Sequence, residues 1–159
     1  TPERKYGSKT SLKSYRVLHE TGLGDKIHMI VGFTCSTFDL LHAGHVTMLR
    51  EASEQCDWLI VGLQVSGVKN PVQTLVERHG QLQAVKYVNE IIPYETEGDL
   101  IDILKIYPIN IRIIGEEYRY KEFTGRDIRG IKTHFNKRKH RFSSSALKRK
   151  VFDSIALKK

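Results

Sequence analysis

An α/β domain built on a parallel sheet, with helices packed on both faces, is what the sequence predicts, and three observations carry the prediction. Short apolar runs bounded by turn residues recur, most plainly at residues 29–33 and 58–63, as expected of strands buried on both faces. Between such runs the apolar residues fall at helical spacing, as Leu100, Ile103, Leu104 and Tyr107 do. The first run also passes straight into a polar turn, Thr37, Phe38 and Asp39, followed by His42, Gly44 and His45. In open parallel sheets ligands bind outside the carboxyl ends of the strands, where a strand hands over to its helix, so the chemistry is expected at this turn.

Composition sets the outer limits. A chain of 159 residues with 40% apolar content is one domain, able to bury roughly two thirds of its unfolded surface. No apolar run approaches the ~18 residues of a membrane span, so a soluble, cytoplasmic protein without membrane contact is expected. Two cysteines, Cys35 and Cys56, lie in or beside apolar runs without C-x-x-C spacing, which predicts buried free thiols and neither disulfide nor zinc site. The formal charge of +8 calls for an acidic partner. Much of it crowds the end of the chain, where Lys132, Lys137, Arg138, Lys139, Arg141, Lys148, Arg149 and Lys150 alternate with His134, Phe135, His140 and Phe142. Charge alone leaves nucleic acid and a phosphate-binding site equally open.

Taken in order, residues 1–27 form a basic arm broken by glycines, with one short helix expected at 11–19 on the strip Leu12, Tyr15 and Leu18. The domain proper is expected over 28–159. Strand one is predicted at 28–33, and a helix from near Gly44 with Val46, Leu49, Ala52 or Ser53, and Cys56 on its core face. Strand two, at 58–63, ends in a loop rich in chain breakers, 64–71. A helix at 74–88 is expected to bury Leu75, Leu82, Val85 and Val88, and a short third strand to close at Pro93. The helix over 97–107 starts on Glu97 and Asp99 and stops at Pro108. Strand four is predicted at 111–114, an irregular loop at 118–130, strand five at 131–136, and a last helix behind Ser143, Ser144 and Ser145.

His42 and His45 sit at the start of a helix, where unpaired N–H groups and the dipole favour phosphate, and Gly44 would let a phosphate approach the backbone. A zinc site on the two histidines and Asp39 is the rival reading, but no third histidine or cysteine has the spacing. No serine, cysteine or aspartate is paired with a base as a covalent nucleophile.

The run Ser36-Thr37-Phe38-Asp39-Leu40-Leu41-His42-Ala43-Gly44-His45 resembles the G-T-F-D-x-x-H-x-G-H signature of cytidylyltransferase-type nucleotidyltransferases, departing only at Ser36. Further on, Glu77-Arg78 and 86–92 resemble the family's E-R helix, and 138–148 resembles its R-T-x-G-I-S-T-T-x-I-K signature, with Arg141 in place of the glycine. The resemblance implies a Rossmann-like domain of five parallel strands ordered 3-2-1-4-5. It implies transfer of CMP from CTP to a small alcohol phosphate, glycerol 3-phosphate first, giving a CDP-alcohol and pyrophosphate. Catalytic roles would fall to His42, His45, Lys69, Arg78 and Arg138, and nucleotide binding to Thr37, Phe38, Asp39, Gly44, Gly115, Glu116, Ser143, Ser144 and Ser145. Mg²⁺ would come with the triphosphate, and a homodimer is expected. The Glu116-Glu117-Tyr118 stretch resembles the family's acidic pair and aromatic near the base. A carboxylate there can accept from the exocyclic amine of cytosine or of adenine, so an adenylyltransferase using ATP stays open. A non-catalytic nucleotide- or nucleic-acid-binding domain is the further alternative, and the intact histidine turn argues against nucleic acid.

Overall fold

In the computed structural model, which describes residues 29–67, 70–137 and 139–157, the apolar runs become five parallel strands. They are β1 (Val31–Ser36), β2 (Trp58–Gln64), β3 (Glu90–Tyr94), β4 (Ile111–Gly115) and β5 (Lys132–Asn136). Their order in the sheet is β3-β2-β1-β4-β5, the Rossmann-like arrangement expected. β1 pairs with β2 along its whole length, from Val31 opposite Trp58 to Ser36 opposite Leu63. The arm of residues 1–27 and its expected helix lie outside the described residues.

Alternation along each strand feeds two cores. Val31, Phe33, Ile60 and Tyr94 pack on Leu100, Ile103 and Leu104 of α3 (Glu97–Ile106). On the opposite face Leu59, Val61, Leu63 and Ile113 meet Leu49 and Ala52 of α1 (Ala43–Ser53) and Leu82 of α2 (Leu75–Gln83). β1 and β2 are covered on both sides, which is why their sequences read as unbroken apolar runs. Each such fully buried aliphatic side chain contributes on the order of 2 kcal/mol. Val46, expected in the core, is instead at the surface of α1, and Gly44 is buried.

Helix starts follow local chemistry. Thr74 with Glu77 opens α2, and Thr96 with Asp99 opens α3, each pair satisfying two otherwise orphaned N–H groups. α2 is shorter than expected, ending at Gln83. There the N–H groups of Ala84 and Val85 reach back three residues, to Gln81 and Leu82, and Asn89 turns in to bond the backbone of Leu59. Val85 and Val88 still pack on the core from this turn. β3 in turn runs through Pro93 to Tyr94, which an edge strand tolerates because the missing N–H faces no partner. The last helix, α4 (Ser144–Ala156), buries no residue, and Ser144 and Lys148 near its start bond to Asp39. Among the described residues no helix is long and apolar enough to cross a membrane, and neither Cys35 nor Cys56 takes part in a disulfide.

Candidate active site

The turn after β1 is strained, and its neighbours hold it so. Phe38 and Leu40 both have φ of 51°, a left-handed conformation that costs non-glycine residues free energy. The Phe38 side chain is buried to 1% exposure in the core beneath α1. Between them Asp39 accepts the N–H groups of Val72 and Gln73, each at 3.0 Å, and pairs with Lys148 of α4 at 3.1 Å. The Gln73 side chain answers by accepting the N–H of Leu40 at 2.8 Å. Burial alone would raise the Asp39 pKa. The bonds from Gln73 and Val72, with the Lys148 ammonium, outweigh it and hold the carboxyl below its ordinary value. Asp39 and Phe38 were expected at the nucleotide. The structure engages both Asp39 oxygens in the scaffold and places Phe38 in the core, where its ring lies 5.3 Å from that of His45.

At the start of α1 His42 is the N-cap and its side chain takes the first amides of the helix, with Gly44 N–H donating to Nδ1 at 3.1 Å. His45 Nδ1 accepts the His42 N–H at 3.4 Å, and the two rings stack 3.9 Å apart. These bonds define the tautomers: with each Nδ1 accepting, the protons sit on Nε2. His42 Nε2 lies 3.3 Å from Ser144 Oγ, which donates to the Asp39 carbonyl at 3.0 Å. Gly44, expected to admit phosphate to the backbone, is engaged by its neighbours in this structure. Its N–H is already spent on His42, and a Cβ built on it would meet the rings of His140 and His42 at 2.8 and 2.9 Å. Burial, then the neighbouring His42 and His140, push the His45 pKa down to about 4, so its imidazole is neutral near pH 7.

Arg78 was expected to bind triphosphate. It is instead 2% exposed, and its guanidinium donates to the carbonyls of Gln73, Thr37, Gln64 and Val65 at 3.2, 2.9, 2.7 and 2.6 Å. Three segments of backbone that frame the turn are thereby pinned to one planar cation. The Thr37 side chain is held beside Gln64, at 3.4 Å.

The carboxyl ends of the strands open into a cleft of about 610 Å³ that takes in His42, His45, Gln64, Gly115, His140 and Ser144. Glu117, not Glu116, lines it, its side chain folded back over Gly115, with Tyr118 beside it. Glu122, Phe123 and Thr124 of the expected covering loop form part of the wall, and that loop is tied to the sheet where Arg112 donates to the Thr124 carbonyl. Ser143 is the α4 N-cap, bonding the Ala146 N–H at 3.1 Å, while Ser145 is exposed outside the lining. Lys69 and Arg138 lie outside the described residues. Among the described residues no group of three or more His, Cys, Asp or Glu could hold a metal ion. Sequence reasoning passed over His140, Gln73 and Lys148. Lys148 stood in the second motif, but nothing in the spacing of His140 or Gln73 marked them.

A family model described as cytidylyltransferase-like matches residues 33–153. The bifunctional protein HldE of Campylobacter concisus is 35% identical over 124 residues, 74% of this chain and 26% of that protein. HldE of Caulobacter vibrioides is 32% identical over 105 residues, 62% of this chain and 22% of that protein. The chain thus spans about a quarter of the length of these curated relatives. Two crystal structures share the fold. A lipopolysaccharide core biosynthesis protein from Thermoplasma volcanium has a TM-score of 0.51 and 21% identity, over 79% of this chain and 88% of that one. Pantoate-beta-alanine ligase from Francisella tularensis has a TM-score of 0.55 and 15% identity, over 87% of this chain and 71% of that one.

Proposed function

Because the chain belongs to the cytidylyltransferase-like family of nucleotidyltransferases, we propose that it transfers a nucleotidyl group from a nucleoside triphosphate to a small phosphomonoester and releases pyrophosphate. An oxygen of the acceptor phosphate attacks the α-phosphorus, and the bond from that phosphorus to the bridging oxygen breaks. Pyrophosphate leaves with the electron pair. The acceptor is already an anion, so the protein need not supply a base. Its work is to align two anions and to stabilise the charge that gathers on the α-phosphate and the leaving group.

The observation that carries this reading is the contact between His42 and Ser144, which brings the N-terminal ends of α1 and α4 together beside a neutral His45. His45, with its proton on Nε2, is the donor suited to a developing phosphate charge, and stays uncharged while it donates. Lys69 and Arg138 supply cations in this reading, by resemblance to the family's motifs. Mg²⁺ enters as part of the triphosphate substrate and shares the neutralisation of its charge. Arg78 and Asp39 act one step back, by fixing the turn that presents the histidines.

CTP with glycerol 3-phosphate is the first substrate pair to offer. A second reading, adenylyl transfer from ATP by the same chemistry, is favoured by the relatives, since those reported above carry the name HldE and not that of a glycerol-phosphate cytidylyltransferase. Glu117 serves either base, because adenine and cytosine both present an exocyclic amine. Pyrophosphate release with Mg²⁺, offering CTP, ATP, GTP and UTP in turn against a panel of small sugar and alcohol phosphates, tests the proposal. Release with one base and one class of acceptor supports it; no release with any pair, from a folded chain, counts against it.

A further inference from the structure

We propose that His140 is a second phosphate-binding imidazole of this cleft beside His45, donating to the triphosphate and to the pyrophosphate it releases. The inference rests on the nucleotidyl-transfer reading and adds a residue to it. His140 does not occupy a fixed position of the resembled signature; it falls where that signature accepts any residue. The geometry is what singles it out.

A helix N-terminus ordinarily meets a phosphate with its own unpaired amides. In α1 that route is narrowed, because the His42 side chain already accepts the Gly44 amide. Phosphate charge at this end of the cleft therefore calls on side chains as well. Over Gly44 stand two rings, with His140 Cε1 at 2.8 Å and His42 Cε1 at 2.9 Å from the place a Cβ would take. His42 is committed on both nitrogens, Nδ1 to the α1 backbone and Nε2 to Ser144. His140 Nδ1, by contrast, is buried and has no hydrogen-bond partner among the described residues. A buried nitrogen without a partner is unfavourable, and where a fold keeps one beside a cleft it is a candidate for a ligand. The ring itself is held in place, packed 5.4 Å from Phe142 and lining the cleft with His45 and Ser144. Three residues before the α4 cap, His140 thus sits between the two helix ends that the proposed reaction brings to one substrate.

The test is titration calorimetry of inorganic pyrophosphate with Mg²⁺ against the wild-type chain and two variants. His140→Phe keeps a ring packed on Phe142 and over Gly44 but removes both nitrogens; His140→Gln restores a donor. The expected result is pyrophosphate affinity at least ~10-fold weaker for His140→Phe and within ~3-fold of wild type for His140→Gln, at unchanged melting temperatures. Equal affinity of the Phe variant and the wild type would overturn the inference while leaving nucleotidyl transfer intact. No binding by the wild type would overturn both. Should a variant fail to fold, the imidazole ¹⁵N resonances of wild-type His140 give the same answer: a shift on adding pyrophosphate supports the role, and no shift refutes it.

Discussion

His42 Nε2 and Ser144 Oγ, 102 residues apart in the chain, meet at 3.3 Å and join the starts of α1 and α4. The serine passes the bond on to the Asp39 carbonyl, so a histidine from the first motif is oriented by a residue of the second. Ser144→Ala should break this chain of bonds and let the His42 ring turn. Turnover is expected to fall ~10-fold, with a stability loss of about 1 kcal/mol for one hydrogen bond. Steady-state kinetics beside a urea melt would check both, and unchanged turnover would show that His42 needs no such orientation.

Arg78 makes a contrasting prediction, because its bonds are to backbone and not to a ligand. Arg78→Ala leaves the carbonyls of Gln73, Thr37, Gln64 and Val65 without their donor, each costing ~1 kcal/mol or more when buried. A loss above ~3 kcal/mol is expected in chemical denaturation, together with lost activity. A well-folded Arg78→Ala whose only defect is a raised KM for triphosphate would instead support the direct phosphate role that the family resemblance implies.

Histidine 45 gives the pH dependence. Its folded pKa of about 4 lies below the ordinary 6.5. Above pH 6.5 the folded and unfolded chains both carry it neutral, and its contribution to stability is whole. Between 6.5 and 4 the unfolded chain takes up a proton that the folded chain refuses, so stability falls as pH falls, by a ceiling of about 3 kcal/mol. Denaturation midpoints at pH 7 and pH 5 should therefore differ more in the wild type than in His45→Ala.

The same variant tests the donor role. His45→Ala should lower kcat by ~10² or more, the size of effect seen when one preorganised donor to a developing charge is removed. Its KM should change little. Equal turnover from a folded variant would remove His45 from the chemistry.

What the sequence made legible was decided by how local the causes were. The strands and helices were legible in apolar runs and helical spacing, which are written in neighbouring residues; their order in the sheet came with the family resemblance carried by the histidine turn. The surroundings of Arg78 were not legible because they are assembled from Thr37, Gln64, Val65 and Gln73, and no periodicity within α2 reveals that carbonyls from three segments converge there. The contacts of Asp39 were hidden in the same way, since its partners Val72 and Lys148 arrive from a loop and from the last helix. Gly44 was singled out as a place where a phosphate could approach the backbone, while the two rings that leave no room for a side chain there come from residues not adjacent to it in sequence. His140 was visible only as one more residue of a basic run, because an unpartnered nitrogen is a property of the folded cleft.

The central claim is that the bond broken lies between the α- and β-phosphates, and one measurement reads it directly. Nucleoside triphosphate labelled at the α-phosphorus, and in a parallel reaction at the γ-phosphorus, is incubated with the chain, Mg²⁺ and the accepted phosphomonoester. Nucleotidyl transfer predicts the α-label joined to the acceptor and the γ-label in pyrophosphate. The γ-label on the acceptor, or released as free phosphate with a nucleoside diphosphate left behind, would contradict it.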